Sequence, residues 1–324
     1  MPEVDTHFAV VALALAFDAM VGDPDWLWRR LPHPVAAFGA LIGWLDRRLN
    51  SAIAGATSRR LFGFLAVAVV VGVATGVGLG IHALCASIPF GFALEAVVAA
   101  TLLAQNSLYV HVAAVADALA TGGLVAGRKA VSMIVGRDPD SLDEAGVARA
   151  AIESTAENFS DGVVAPLLWF VLLGLPGLAA YKSINTADSM IGHRTTRHAD
   201  FGYAAAKLDD LINLVPARLS GLFIVLASAV LHGRGGASLR AMARDAGKHA
   251  SPNAGWPEAA MAGGLGIELA GPRFYQGRLS AEVAINSGGR REIGVGDIRA
   301  ALRVYLAACV INAGSALAVL WVLA

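Results

Sequence analysis

No Lys or Arg occurs before Arg29, none between residues 61 and 127, and none after Arg303. In these gaps the chain runs apolar for lengths that reach or approach the roughly 20 residues a helix needs to cross a bilayer. Charged residues make up 15% of the 324 residues, against about 25% in soluble domains, and the hydrophobic share is 56%. Such a chain is expected to fold as an all-α integral membrane protein, because helices satisfy every backbone polar group internally. Lys plus Arg and Asp plus Glu both total 25, so no basic surface points to a nucleic acid. Cys85 and Cys309 lie inside apolar runs and form no metal or disulfide motif.

Four apolar segments read as clear transmembrane helices: about 8–21, 61–85, 92–115 and 302–324. Two more, 163–181 and 211–231, read as broken or re-entrant. The first of these carries Gly174-Leu175-Pro176-Gly177 at its centre, and the second has Asn213, Pro216 and Arg218 in its first third. Irregular backbone at membrane depth is tolerated where protein packs around it. An ordinary span with a proline kink is the alternative. The cation-bearing segments 22–61, 116–162, 182–210 and 233–301 are expected on the cytoplasmic side, with both termini and the turn near Pro89 opposite. No internal repeat is evident, so a single membrane-embedded domain is expected.

Three polar constellations sit beside the apolar segments. Glu153, Glu157 and Asp161 recur every fourth residue, with Asn158 beside them. On one helical face they would repel, and a Mg²⁺ ion or an Arg is the expected compensation; a solvated acidic face is the competing reading. Lys182, Asn185 and Ser189 share a helical face with Asp188 adjacent, a set able to hold a phosphate and its metal, or simply a capped helix start. Lys207, Asp209, Asp210 and Asn213 lead into Pro216-Ala217-Arg218, where paired acids and an Arg are expensive at a membrane boundary unless used or paired. His33 lies between two prolines, Arg128-Lys129 marks either a phosphate contact or a cytoplasmic face, and Asn253 and Glu258 belong to a turn-rich loop. There is no GxxxxGK[ST], HExxH or GxSxG pattern.

Six blocks in one order then carry a resemblance: Gly22-Asp23-Pro24, Leu31-Pro32-His33-Pro34, 153–162, 181–190, Lys207-Leu208-Asp209-Asp210 and 251–258. Over about residues 14–300 the chain resembles the CobD/CbiB family of adenosylcobinamide-phosphate synthases. The resemblance implies a bacterial inner-membrane enzyme that joins (R)-1-amino-2-propanol or its O-phosphate to a propionate carboxylate of adenosylcobyric acid. It implies ATP and Mg²⁺ as well, and leaves room for a homo-oligomer or a complex with other cobalamin-biosynthesis enzymes. On that reading Lys182, Glu157 and Asp188 are the expected catalytic groups. Asn158, Asn185, Ser189, His33, Arg128, Lys129, Asn253 and Glu258 are expected to bind substrate or nucleotide. Glu153, Glu157, Asp161, Asp209 and Asp210 are expected to hold metal. A transporter or a non-catalytic membrane sensor of the same fold is the alternative.

Overall fold

The computed structural model describes residues 2–51, 53–135, 139–193, 195–271, 273–275, 278–280 and 283–323. In chain order its helices are α1 (Pro2–Met20), α2 (Asp25–Trp28), α3 (Pro34–Leu49), α4 (Ala56–Ala86), α5 (Gly91–Ala100), α6 (Gln105–Val131) and α7 (Glu144–Phe159). They continue with α8 (Ala165–Ala187), α9 (Tyr203–Ile212), α10 (Leu214–His232), α11 (Gly235–Asp245), α12 (Gly255–Leu265) and α13 (Val295–Leu323). Two π-helical turns interrupt this order, Ser160–Val164 and Asp188–Gly192. The strands among the described residues form two antiparallel ribbons. In one, β1 (Leu269–Ala270) pairs with β4 (Ala284–Ile285); in the other, β2 (Arg273–Tyr275) pairs with β3 (Arg278–Ser280). The protein is therefore an all-α membrane protein, as expected.

Among the described residues, five helical stretches are long and apolar enough to cross a membrane: Ala56–Ala86, Gly91–Val131, Glu144–Gly192, Leu214–His232 and Val295–Leu323. Their division differs from the sequence expectation in three ways. The first apolar segment forms a shorter apolar helix, Thr6–Met20. The arm expected to be continuous over 92–115 is interrupted at 101–104, between α5 and α6. The segment 211–231 breaks only at Asn213, after which α10 runs unbroken for 19 residues. Pro216 is the third residue of α10, where no intrahelical N–H is needed and proline is tolerated. The break in 163–181 is real, but it is a single residue: Gly174, with φ 65° and ψ −161°, divides α8. Pro176 falls in the first turn after that break, again where proline fits.

By their contacts the residues group into two compact units. Unit 1 comprises Met1–Ala104, Ala165–Asn213 and Ala316–Ala324. Its spine is α4 packed against α8. On α4 most of the residues turned inward are small, Gly63, Ala66, Ala74, Gly78 and Cys85 beside Val67 and Val70, while Leu61, Phe64, Leu65, Val69, Val73 and Val77 face out. This distribution suits lipid, which offers no hydrophobic drive between helices, so that close backbone packing must hold them. A Cβ on Gly78 would lie 2.8 Å from the Cα of Pro176. A second apolar cluster joins Ile42 and Leu45 of α3 to Val67 and Val70 of α4, and to Ile191, Phe201, Ala204 and Ala205. Buried Glu95 of α5 meets His82 of α4 at 2.9 Å.

Unit 2 comprises Gln105–Val164 and Leu214–Ser315. Its core surrounds α7, of which Val147, Ala148, Ala151, Ile152, Ala156 and Phe159 are buried. Phe159 meets Tyr305 of α13 edge-on at 5.6 Å, and the Tyr305 hydroxyl donates to the Gln105 carbonyl at 2.7 Å. Helices α10, α11 and α12 pack together beside it.

The Gly174 geometry lies in a region of backbone space that is essentially closed to other residues. Gly174→Ala is expected to destabilise the protein by about 1–3 kcal/mol, read as a lower midpoint of thermal unfolding in detergent. Gly76→Ala, where an added Cβ meets nothing within 4 Å, is expected to leave the midpoint unchanged or raise it. Equal behaviour of the two variants would contradict this account of the break.

Candidate active site

In unit 1 the end of α8 and the whole of α9 bring two of the polar blocks together. The Asp209 carboxylate is buried. Its Oδ2 accepts from the Asn213 amide at 3.0 Å, and its Oδ1 accepts from the Asn185 amide at 3.4 Å. Asn213, itself fully buried, accepts in turn from the Tyr181 hydroxyl at 3.1 Å. Burial, the charge of nearby Asp188 and that of Asp210 push the Asp209 carboxyl up to about 7, against the opposing hydrogen bonds from Asn213 and Asn185. Asp210 is paired with Lys207 at 3.0 Å. Thus Asn185, Asp188 and Asp210, all expected site residues, each act on Asp209.

The local backbone explains the grouping. Asp188 opens a π-helical turn, in which the helix widens by about one residue and side chains leave the α-helical face. The Ser189 hydroxyl bonds back to the Asn185 carbonyl at 2.9 Å, and that of Thr186 to the Lys182 carbonyl at 2.7 Å. Lys182 lies one turn before Asn185, half-buried.

The remaining expected residue of unit 1, His33, has a clear structural duty. Its Nδ1 accepts from the Val35 N–H at 3.2 Å and caps α3, while Nε2 faces Asp23 at 3.3 Å. The accepting Nδ1 leaves the ring proton on Nε2 to donate to Asp23. The Gly-Asp-Pro and Leu-Pro-His-Pro blocks therefore meet through one imidazole. A further network went unread in the sequence. Asp46 of α3 is held by Arg197 at 2.6 Å and by Asn50 at 2.8 Å. Arg59 donates to the Asn50 side chain and to the Arg197 carbonyl. Burial alone would raise the Asp46 carboxyl, but the bonds from Asn50 and Arg197 outweigh it and hold it below its usual range. This clamp fixes the segment that joins the Asp188 turn to α9.

Unit 2 holds the other acids, but not as three equivalent groups. Glu153 is buried, and its Oε1 accepts from the Ala270 N–H at 2.7 Å. Ala270 has φ 54°, a left-handed conformation that a non-glycine residue adopts only when its surroundings hold it there. Glu157 is exposed and Asp161 is half-buried. The expected common face fails because α7 ends at Phe159 and Asp161 sits in the π-helical turn Ser160–Val164. Asn158 is spent on its own helix, donating to the Ser154 carbonyl at 2.9 Å and to its hydroxyl at 3.1 Å. Arg128 donates to the Leu142 carbonyl at 2.7 Å; Lys129 is its neighbour at the end of α6. In the turn-rich loop, Ser251 Oγ accepts from the Asn253 N–H at 3.2 Å. His249 Nε2 lies 3.8 Å from buried Glu258.

Among the described residues no three His, Cys, Asp or Glu side chains are arranged to hold a metal ion. The five acids expected as metal ligands fall into two groups, Asp209 and Asp210 in unit 1 and Glu153, Glu157 and Asp161 in unit 2. Reading the residues one motif at a time missed the roles of Tyr181 and Asn213 as props of Asp209. The i to i+4 spacing of Asp209 and Asn213 was the available signal.

Fold and site together define a multi-pass membrane protein with buried and half-buried carboxylates gathered at helix ends. A family model described as CobD/CbiB protein matches residues 11–305. A cobalamin biosynthesis protein CobD of a Sinorhizobium species is 52% identical over 319 residues, covering 97% of this chain and 98% of that one. The protein of the same name from Brucella suis is 51% identical, covering 93% of each chain. That from Rhodobacter capsulatus is 50% identical, covering 86% of each. The chain belongs to the CobD/CbiB family, and its role lies in cobalamin biosynthesis, the process for which these relatives are named. No solved structure matches it.

The raised Asp209 carboxyl has a definite effect on stability. Between the ordinary value of 3.8 and about 7 the folded protein holds a proton that the unfolded chain has lost. Stability contributed by this group therefore falls as pH rises through that window and stays low above it. In Asp209→Asn the slope should be missing, and the variant should be the more stable form above pH 7, since the Asn185 amide can turn to accept from the new NH₂. Thermal unfolding of both proteins in detergent across the window checks this; parallel pH profiles would refute it.

Proposed function

We propose that this protein is an amide-bond-forming synthase. It would join (R)-1-amino-2-propanol or its O-phosphate to the propionate carboxylate of adenosylcobyric acid, giving adenosylcobinamide or its phosphate, with ATP as the activating co-substrate. The observation that carries the reading is the gathering of Asn185, Asp188, Asp209 and Asp210 at one place, in a member of the CobD/CbiB family.

The chemistry sets the requirements. A carboxylate does not condense with an amine at useful rates in water, because its oxygen is a poor leaving group. Transfer of a phosphoryl or adenylyl group from ATP makes that oxygen a good one. The protein must then hold the polyphosphate, exclude water and take a proton from the attacking amine. Asp188 and Asp210 supply hard oxygen donors of the kind Mg²⁺ uses, one or two carboxylates together with substrate phosphates. The ion would neutralise polyphosphate charge. Lys182 brings a cationic ammonium to a phosphate, and Asn185 orients Asp209 through its amide NH₂, with its side-chain amide oxygen as an acceptor for an amine. Glu157, exposed on α7, is the candidate proton acceptor of the second group. The cation-rich segments around both groups favour a cytoplasmic site in the bacterial inner membrane.

The test is direct. Purified protein, adenosylcobyric acid, each amine in turn and ATP are incubated, and product mass and nucleotide products are recorded. Amine-dependent ATP consumption with a new amide is expected; a transporter or sensor would give neither. Lys182→Met is expected to lower kcat by about 10²–10³ while corrinoid affinity holds, and Lys182→Arg to recover only part, because the guanidinium differs in shape and donor geometry. Glu157→Gln is expected to lower turnover by a similar factor. Full activity of Lys182→Met would remove that lysine from the site.

A further inference from the structure

Several cations among the described residues are matched by acids. Arg197 meets Asp46, Arg60 meets Asp200, Lys207 meets Asp210, Arg244 and Lys248 share Asp245, and Arg299 meets Asp117. Arg218 differs. It is the fifth residue of α10, a 19-residue helix apolar enough to span a membrane. No acidic residue occupies the first turn of that helix. The partners of Arg218 among the described residues are the Leu214 carbonyl, to which Nη1 donates at 2.7 Å, and the Trp256 indole, whose ring centre lies 4.5 Å from the guanidinium carbon. A half-buried cation without a carboxylate at this depth is costly and marks a function by default.

The surroundings of Arg218 hold its guanidinium in place. One turn along α10, a Cβ on Gly221 would lie 3.2 Å from the Trp256 carbonyl oxygen and 2.6 Å from the Met242 sulfur. A glycine here suits the close approach of the α12 backbone, which brings the indole over the guanidinium. Trp256 is itself placed by the Ser251 turn, whose hydroxyl accepts from the Asn253 and Ala254 N–H groups, and by Pro257 behind it. Stacking and the Leu214 bond fix the ring-facing side and one N–H. The other N–H groups of the planar fork remain, a donor set that suits the oxygens of a phosphate.

We propose that Arg218, stacked on Trp256, is the phosphate anchor of this protein, and that the phosphate it takes is that of the amino-alcohol O-phosphate. The assignment rests on the synthase reading for the identity of the substrate. The anion site itself follows from the geometry of α10 and α12. It makes Arg218 a specificity-determining residue, which decides how strongly the phosphorylated amine is preferred over the free amino-alcohol. A lipid headgroup offers the same phosphate chemistry at this depth and is the rival occupant.

The experiment compares wild type, Arg218→Gln, Arg218→Lys and Trp256→Leu. The readout is the ratio of kcat/KM for 1-amino-2-propanol O-phosphate to that for 1-amino-2-propanol. The ratio is expected to fall tenfold or more in Arg218→Gln and severalfold in Arg218→Lys, which keeps the charge but loses the fork. It should also fall in Trp256→Leu, which keeps the arginine but frees it. A ratio unchanged in all three overturns the proposal. Should Arg218→Gln fail to fold, the other two variants decide. A second readout is independent of turnover: the thermal shift given by the O-phosphate in detergent, expected in wild type and reduced in Arg218→Lys. Absence of amide product with a retained, Arg218-dependent shift refutes the synthase reading and leaves the anion site. An Arg218-dependent stabilisation by nanodiscs of phosphatidylglycerol over phosphatidylcholine, with no shift from the O-phosphate, assigns the arginine to lipid and overturns the proposal.

Discussion

A carboxylate buried in so apolar a chain must be met by donors, keep its proton, or both, and Asp209 shows both. Two amides reach it, Asn213 from the next turn and Asn185 from α8, and Tyr181 props the first of them. The neighbouring Asp188 charge keeps its proton affinity high. This one network fastens the last turns of α8 to α9 and fixes Asn213, the C-cap of α9. Replacing Asp209 with an apolar residue would strand the fully buried Asn213 amide and the half-buried Asn185 amide, and the cost of an unmade hydrogen bond would fall chiefly on Asn213.

The same economy of polar groups explains where the candidate site lies. Long apolar helices satisfy their own backbones and present small residues to one another, as α4 does along its Gly63 to Gly78 face. Polar side chains are admitted where the helix is interrupted. The turn at Asp188 and that at Asp161 are both π-helical, and each redirects an acid away from the line that regular spacing would give it. The Asp46–Arg197 clamp then holds the irregular segment that follows the first of these turns. Elsewhere an ionised group is held by several partners at once. Asp245 is kept well below its usual range by Arg244 first, and by Lys248 and the Asn286 N–H.

Much of this was legible in the sequence, for physical reasons that can be named. The cation-free stretches identified the membrane class, because charge in hydrocarbon is so costly. Gly174 and Pro176 announced the break in α8, and the acidic blocks identified both groups of candidate residues. What escaped was what depends on geometry that spacing alone cannot supply. Regular four-residue spacing suggested one face for Glu153, Glu157 and Asp161, but the π turn removes Asp161 from it and the Ala270 N–H claims an oxygen of Glu153. His33 looked like a ligand and is a helix cap. Pro216 looked like a break and is a helix beginning. The pairing of Arg218 with Trp256, 38 positions apart in the sequence, carries no local pattern at all.

The central claim is that the protein activates a carboxylate with ATP before an amine attacks it. The most direct measurement uses adenosylcobyric acid bearing ¹⁸O in its carboxylates, with ATP, Mg²⁺ and the amine, and follows the label by mass spectrometry. Activation leaves one carboxylate oxygen on phosphorus when the amine displaces it. The account therefore predicts one ¹⁸O in inorganic phosphate, or in AMP, for each amide formed. Amide formed with the displaced label recovered only in water, or no amide at all under these conditions, would contradict it.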